Sequence, residues 1–206
     1  MSAFADPRAT WSARFDREDY LFGEAPNAFL ARETHRLAPG STALAVADGE
    51  GRNSVHLARA GIRVTAFDFA STGVAKARRL AARHGVDVDF HVADIHAWPW
   101  HERTYDAVIA IFIQFLAPEE REVVFAGMRA AVRPGGLFLL EGYRPEQVDH
   151  GTGGPGRREH MYTAAWLGTG FSGWDILHLV EYDAELAEGE AHAGRSALID
   201  LVARRR

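Results

Sequence analysis

ALAVADGEGRNSVHLARAGIRVTAFD, residues 43–68, decides how this chain is read. An apolar run over 43–47 stops at a tight turn, Asp48-Gly49-Glu50-Gly51, and a helical stretch containing Leu57 and Ala58 follows. A second β-rich run, 62–67, then ends in Asp68. In such a strand, turn, helix, strand unit the turn's N–H groups can approach a cofactor. The acid at the second strand's tip can then accept hydrogen bonds from two ribose hydroxyls. Gly49 and Gly51 remove Cβ atoms where a ligand would lie on the main chain, and both permit positive φ. The third glycine of a dinucleotide fingerprint is absent, since Ser54 stands in its place. The pattern points to a site for a nucleoside cofactor.

Outward from this unit, strands alternate with helices. VDVDFHV (86–92) reads as a third strand, with Ala93-Asp94-Ile95 after it, and TYDAVIAIF (104–112) as a fourth with Asp106 at its mouth. The near-continuous apolar character of the fourth suits a parallel sheet covered on both faces. Helices are expected over 52–60, 71–84 and 118–132, with Ser71 as a plausible N-cap. Before the core, Trp11 and Phe15 stand four apart on a short amphipathic helix. Pro26 and Asn27 then open a second helix, carrying Phe29, Leu30, Thr34 and Leu37, that Pro39-Gly40 ends. After the core, residues 144–162 carry Gly151, Gly153, Gly154, Gly156, Pro145 and Pro155 and read as a long loop of the kind that is often functional. A short helix over 163–170 follows, then strands over 174–183 and 196–203 joined by 185–195. The terminal Arg204, Arg205 and Arg206 read as a solvated tail.

The order of the Gly-x-Gly turn, Asp68, Asp94 and the RPGG of 133–136 resembles a class I S-adenosylmethionine-dependent methyltransferase over residues 41–141. The likeness extends to the bacterial branch close to tellurite-resistance and thiopurine-type methyltransferases. It rests there on GEGRN at 49–53, and on Trp11, Arg14, Phe15, Tyr20, Gly23, Pro26 and Asn27 in the N-terminal segment. GTGGP at 151–155 and the Glu188, Gly189, Glu190, His192 segment complete it. The resemblance implies an α/β, Rossmann-like, seven-stranded, mostly parallel sheet of order 3-2-1-4-5-7-6, helices on both faces and an N-terminal helical cover. It implies one domain over 1–206: a cover over 1–40, a cofactor-binding core over 41–142, and a substrate loop with C-terminal hairpin over 143–206. Two departures stand out: Ala45 replaces the usual acid of strand one and Ala47 the first glycine of the turn, leaving Asp48 to supply negative charge.

S-adenosylmethionine is the implied cofactor. The residues assigned to it are Arg14 and Phe15 from the cover, Ala47, Asp48, Gly49, Gly51 and Asn53 at the turn, and Asp68 with Phe69. Asp94 would take the adenine amino group, with Ile95 against the ring. Ala110 and Ile111 sit at the fourth-strand mouth, where ligands bind in open α/β sheets. Arg14 would hold the methionine carboxylate in a two-pronged contact. Phe112 and Phe115 would wall the substrate pocket, or simply pack the core. In similar chalcogen-methylating enzymes the histidine of the terminal segment lies near the transferring methyl. This makes His192 and Glu190 candidate catalytic residues beside Glu188 and Arg195, against the plainer reading of a polar hairpin loop. No metal is expected, because ten histidines include no HExxH.

Composition narrows the field further. The chain has 206 residues, 47% of them hydrophobic, enough for one domain with a sizeable core. Zero cysteines exclude disulfides, thiolate metal sites and a thiol nucleophile. A net charge of −5 argues against a phosphate-backbone partner. No apolar run reaches membrane-spanning length, and the start has no signal-peptide core, so a cytoplasmic enzyme for a small-molecule substrate is expected. Two other classes stay open. A nicotinamide-dependent oxidoreductase shares the first unit but lacks here the third glycine and a Tyr-x-x-x-Lys pair. A cofactor-binding protein without turnover would keep the same site.

Overall fold

The computed structural model describes residues 7–206, so the first six residues of the expected cover lie outside the described residues. Seven strands form one sheet: β1 Thr42–Val46, β2 Arg63–Asp68, β3 Asp89–Val92, β4 Tyr105–Ile111, β5 Val132–Tyr143, β6 Trp174–Ala187 and β7 Ala193–Arg205. The helices are α1 Pro7–Phe15, α2 Ala28–Glu33, α3 Arg52–Arg59, α4 Ser71–His84, α5 Pro118–Ala130, α6 Gln147–His150 and α7 Ala164–Gly170. Strand order is 3-2-1-4-5-7-6. The first five strands pair in parallel, and β7 runs antiparallel between β5 and β6.

Side-chain alternation sorts the sheet into two faces. Leu44, Val46, Phe67, Val108, Ala110, Phe138 and Leu140 share one core with Phe125 and Met128 of α5. Ala43, Ala45, Ala66, Ile109 and Leu139 face the other way, against Phe29 and Leu30 of α2 and Leu57 of α3. The small residues at 43, 45 and 66 let those helices lie close to the strands. The ends of β1, β2 and β4 therefore reach one edge of the molecule as rigid, fully covered rods.

Four expectations change. Ser71 is the first residue of α4, not its cap: Ala70 stands at the N-cap, and Asp68 accepts from the Ala70 N–H at 2.8 Å, doing the capping from the strand. The 185–195 connection shrinks to 188–192, because the hairpin ladder continues through Glu185↔Arg195 to Ala187↔Ala193. The charged residues there face each other across the strands, as Arg195 Nη2 and Asp183 Oδ2 do at 3.1 Å. Residues 144–162 are not a bare loop, since they hold α6 and a 3₁₀ turn at Arg158–His160. Fully buried Gln147 anchors that segment by accepting from Ala197 N–H at 2.8 Å. The terminal arginines are not a tail either. Arg204 and Arg205 belong to β7, and Arg205 donates to the carbonyls of Ala130, the last residue of α5, and Val132, the first of β5. Arg206 pairs with Asp175 at 2.7 Å.

No helix among the described residues is long and apolar enough to cross a membrane. A buried ion pair joins the first turn to α4: Lys76 Nζ meets Glu50 Oε1, with side chains 2% and 3% exposed. Glu50 Oε2 also accepts from Leu21 N–H at 2.8 Å, while Lys76 donates to the Asp19 carbonyl and lies 4.8 Å from the Tyr20 ring centre. Segment 19–21 is thereby fastened to the core. Removing one partner strands the other charge, so Lys76→Met should lower unfolding free energy by ~3–5 kcal/mol. Adding Glu50→Gln should recover part of that loss in urea melts. A double variant no more stable than Lys76→Met would show that the two charges are not coupled.

Candidate active site

The turn after β1 is built from strained backbone. Ala47 has φ +49, a left-handed conformation that a Cβ disfavours, and Gly49 (+60) and Gly51 (+90) follow. This is the position where the resemblance expects glycine, and the chain tolerates alanine there at a cost in strain. Phe112, at the end of β4, is the other non-glycine residue with positive φ among the described residues (φ +53). Both line the same cavity.

The two turn glycines have different jobs. A Cβ on Gly51 would lie 2.6 Å from the Ala77 Cβ, so this glycine serves the packing of α3 on α4. That corrects its expected place against a ligand. A Cβ on Gly49 would meet only the Phe15 ring, at 3.2 Å, and the same ring covers Gly73. Anything lying on Gly49 must therefore displace a side chain that can turn aside. Ser54 fills the place of the missing third glycine without cost to its hydroxyl. Fully buried, it donates to Asp48 Oδ2 at 2.5 Å and to the Gly51 carbonyl at 3.2 Å.

Burial pushes the Asp48 carboxyl up to about 7, against the pull of the Ser54 hydrogen bonds. It pushes Asp68 up to about 6, against the N–H groups of Ala70 and Gly49. Asp68 Oδ2 accepts from Gly49 N–H at 3.0 Å and Oδ1 from Ala70, one bond per oxygen. Each oxygen keeps a lone pair for a further donor. The acid thus braces the turn and remains able to receive hydroxyls there.

A cavity of about 700 Å³, solvent at its mouth included, opens at the carboxyl ends of β1 and β4. It brings together Phe15, Ala47, Asp48, Gly49, Asn53, Phe69 and Ile111 of the expected cofactor set, with both Phe112 and Phe115. Other members of that set stand apart. Asp68 is 6% exposed behind the turn, Ile95 and Ala110 are core residues, and Asp94 accepts from His96 N–H at 2.9 Å. Arg14 lines a second cavity, of about 550 Å³, next to the first and not the first itself.

His192 lines both cavities, its ring 4.4 Å from the Phe22 centroid and 4.3 Å from that of Phe112. Nδ1 is buried without a hydrogen bond, 4.0 Å from Glu188 Oε2, and burial lowers the imidazole pKa. The ring is thus held largely neutral, with Nε2 on the side away from Glu188. Burial would raise Glu188, but His192, Arg52 and the Ala28 N–H together hold it down at about 2. Arg52 contributes most firmly, with Nη2 2.7 Å from Glu188 Oε2. Glu190 points elsewhere: it is exposed and pairs with Arg17 at 2.8 Å, outside both cavities, which removes it from the catalytic candidates. Arg195 is likewise committed to Asp183 on the surface.

Several lining residues carried no sequence signal of their own. Phe22 sits between Tyr20 and Gly23 of the N-terminal motif but was not itself singled out. Tyr143 is the last residue of β5, so the rule that ligands gather at strand carboxyl ends would have found it. Gln114 holds Tyr143 by both backbone groups, donating to its carbonyl at 2.7 Å and accepting from its N–H at 2.5 Å.

Residues 43–136 match the family model described as a methyltransferase domain. The chain is 37% identical over 95 residues to ubiquinone biosynthesis O-methyltransferase of Methylocella silvestris, covering 44% of this chain and 35% of that protein. It is 34% identical over 119 residues to demethylmenaquinone methyltransferase of Renibacterium salmoninarum, covering 58% and 46%. The chain therefore spans less than half the length of these curated relatives. Among solved structures, TehB from Haemophilus influenzae superposes with a TM-score of 0.73 at 19% identity, covering 87% of this chain and 62% of that one. At that identity the likeness is one of fold.

The contrast between the two glycines is measurable. Gly49→Ala should cost ~1–2 kcal/mol of stability, the strain of a left-handed alanine. Gly51→Ala should cost ~1–3 kcal/mol more from overpacking against Ala77. Equal losses in urea unfolding would mean that α4 moves aside freely and that packing does not dictate Gly51.

Proposed function

We propose, for a chain that carries a class I S-adenosylmethionine-dependent methyltransferase domain, methyl transfer from S-adenosylmethionine to a small-molecule acceptor by in-line displacement. The observation that carries the reading is the cavity at the carboxyl ends of β1 and β4, with the strained turn, Gly49 and Asp48 in its wall and Asp68 directly behind. The residues fit the cofactor. Gly49 presents a backbone face covered only by a movable ring, Asp68 has lone pairs free for ribose hydroxyls, and Phe69 offers an apolar face to a base. Asp48, in the cavity wall, would supply the negative charge that Ala45 does not. When bound, the cofactor supplies a sulfonium leaving group, so the protein has mainly to align, approach and exclude water.

His192 sits where donor and acceptor spaces meet and is the base for a protonated nucleophile, its tilt fixed by Phe22, Phe112 and Glu188. The two curated relatives are named as methyltransferases of quinone biosynthesis, which favours a small organic acceptor. Similarity to the tellurite-resistance branch rests on fold and on the N-terminal and GEGRN motifs. A net charge of −5 supports a substrate other than nucleic acid, and the intracellular supply of the methyl donor favours the cytoplasm.

Calorimetry with S-adenosylhomocysteine tests the cofactor half. Asp68→Ala should weaken binding by ~1.5–3 kcal/mol. Affinity for S-adenosylmethionine, a net cation, should rise as pH goes from 5 to 8. Asp68 (about 6) and Asp48 (about 7) carry protons below those values and negative charge above them, so binding the cation releases protons. Asp48→Asn should flatten the upper part of that rise. Unchanged affinity in Asp68→Ala, with no pH dependence in the parent, would remove the cofactor assignment.

The chemical step is tested separately. His192→Ala should lower turnover ~10²-fold or more with a protonated acceptor while S-adenosylhomocysteine binds as before. Wild-type turnover in that variant would make His192 a wall residue only.

A further inference from the structure

Two buried carboxyls lie outside both cavities and take no part in the chemistry above. Glu141 of β5 and Asp200 of β7 stand opposite each other in the ladder, 2% and 0% exposed. The Tyr182 hydroxyl of β6 reaches both, 3.0 Å from Glu141 Oε1 and 3.2 Å from Asp200 Oδ1. A hydroxyl has one hydrogen to donate and can otherwise only accept. Two ionised carboxylates would therefore leave one buried oxygen facing a lone pair, so one of the two acids must bring a hydrogen of its own.

The surroundings say which. Asp200 Oδ2 accepts from Arg32 of α2 at 3.0 Å, with His178 Nε2 of β6 at 3.8 Å, so charge on Asp200 is answered. Burial raises Glu141, and the charges of Asp200 and Glu188 raise it further. Burial raises Asp200 as well, but Tyr182, Arg32 and His178 hold it down. Arg52 of α3 and His192 face Glu188 in turn, and burial keeps the neighbouring Tyr143 phenol neutral. Glu141 Oε2 accepts from the Asn27 amide, which leaves Oε1, beside Tyr182, to carry the hydrogen. The bonds then run in one sense, from Glu141 to Tyr182 to Asp200.

Asn27 joins this chain to the active site. Its Oδ1 accepts from Leu30 N–H at 3.0 Å, which turns the amide hydrogens toward Glu141 and toward Glu188 Oε1, 3.1 Å away. Its own N–H donates to Asn53 Oδ1 at 3.0 Å. Asn53 and Arg52, the partner of Glu188, line the first cavity, and His192 lines both cavities. Resting for its function on the methyltransferase reading above, we infer that Glu141 is a positioning residue. It holds one proton in the Glu141–Tyr182–Asp200 chain and, through Asn27, sets Glu188, Asn53 and His192 about the cavities.

Three measurements on wild type, Glu141→Gln and Glu141→Leu test this. The infrared difference spectrum, wild type minus Glu141→Gln, should show the carbonyl stretch of a protonated carboxylic acid at neutral pH; its absence overturns the shared proton. Unfolded, Glu141 ionises near its ordinary value of about 4.3, so at neutral pH the folded state holds one more proton and loses stability as pH rises. The ratio of unfolding constants, wild type over Glu141→Gln, should grow about tenfold per pH unit between about 5.5 and 7.5, and a flat ratio overturns the inference.

Positioning is read by S-adenosylhomocysteine calorimetry and by hydrogen exchange at Ala28 and 188–192. Gln keeps both bonds of the protonated acid, accepting from Asn27 and donating to Tyr182, whereas Leu keeps neither. At pH 7 the Gln variant should bind within about twofold of wild type, and the Leu variant about tenfold or more weaker with faster exchange in those amides. On the alkaline side wild type should lose affinity that the Gln variant keeps. That comparison decides even where Glu141→Leu fails to fold. Equal alkaline loss in wild type and Gln, or wild-type affinity and exchange in Leu, overturns the positioning role. If the nucleoside fails to bind wild type, the methyltransferase reading falls while the infrared band and the exchange still decide this one. If it binds and the band is missing, this inference falls alone.

Discussion

Glu188 carries the geometry of the whole site. One carboxylate in the β6–β7 connection receives Arg52 from the start of α3 at 2.7 Å, the Asn27 amide at 3.1 Å and the Ala28 N–H at the start of α2 at 3.0 Å. Burying two charges costs several kcal/mol per ion, and such a pair holds only when geometry is good and the remaining lone pairs are filled. Here they are filled, so the connection is pinned against both helices. His192, four residues on, inherits its position from that pin. The backbone bond from Glu190 N–H to the Leu21 carbonyl at 3.1 Å ties the same connection to the segment that carries Phe22.

The same logic explains what GEGRN does. Glu50 meets Lys76 and Leu21, Arg52 meets Glu188 and the Phe22 carbonyl, and Asn53 accepts from the Asn27 N–H at 3.0 Å. Gly51 makes room for Ala77. Most of the motif therefore fastens the N-terminal segment and the last hairpin onto the first turn. Gly49, Arg52 and Asn53 are its members in the cavity wall. A motif found next to a cofactor turn is easily taken for a set of ligand contacts. In this chain it is mainly a clamp, and the ligand chemistry is left to Asp48, Asp68 and backbone.

That distinction marks what could be read ahead of the structure. The core strands and helices follow from local periodicity, the strand order from the resemblance alone, and the structure has both as expected. Gly49 in the cavity wall and Asp68 bracing the turn could be located beforehand because each stands at a defined point of a local unit. Arg52–Glu188 and Lys76–Glu50 were not, because nothing local tells which distant charge a buried charge will meet. The hairpin ends were misjudged for a related reason: Asp183, Glu185 and Arg195 look solvated one by one but face each other across the strands. Arg205 misled in the same way, its value coming from the carbonyls where α5 gives way to β5. Tyr143 was obscured differently: what marks it is a buried hydroxyl without a partner, and a missing partner shows only in three dimensions.

Charge is divided across the two cavities in a way that suits the proposed chemistry. The first cavity has Asp48 in its wall with Asp68 behind it, and the second has Arg14 and Tyr143 in its wall. Transfer of a methyl cation equivalent from a sulfonium to an anionic nucleophile neutralises opposite charges as the bond forms. The transition state is then less charged than the separated reactants, and a medium that solvates ions poorly lowers the barrier instead of raising it. Aromatic walls at the meeting point provide such a medium. The left-handed backbone at Ala47 and Phe112 fits this division. Both residues turn the chain at a strand end in the wall of the first cavity, and Phe112 puts its ring where the two cavities meet. The strain is borne by rigid, fully covered strands, and the dry junction it produces is the part of the site on which the rate would depend.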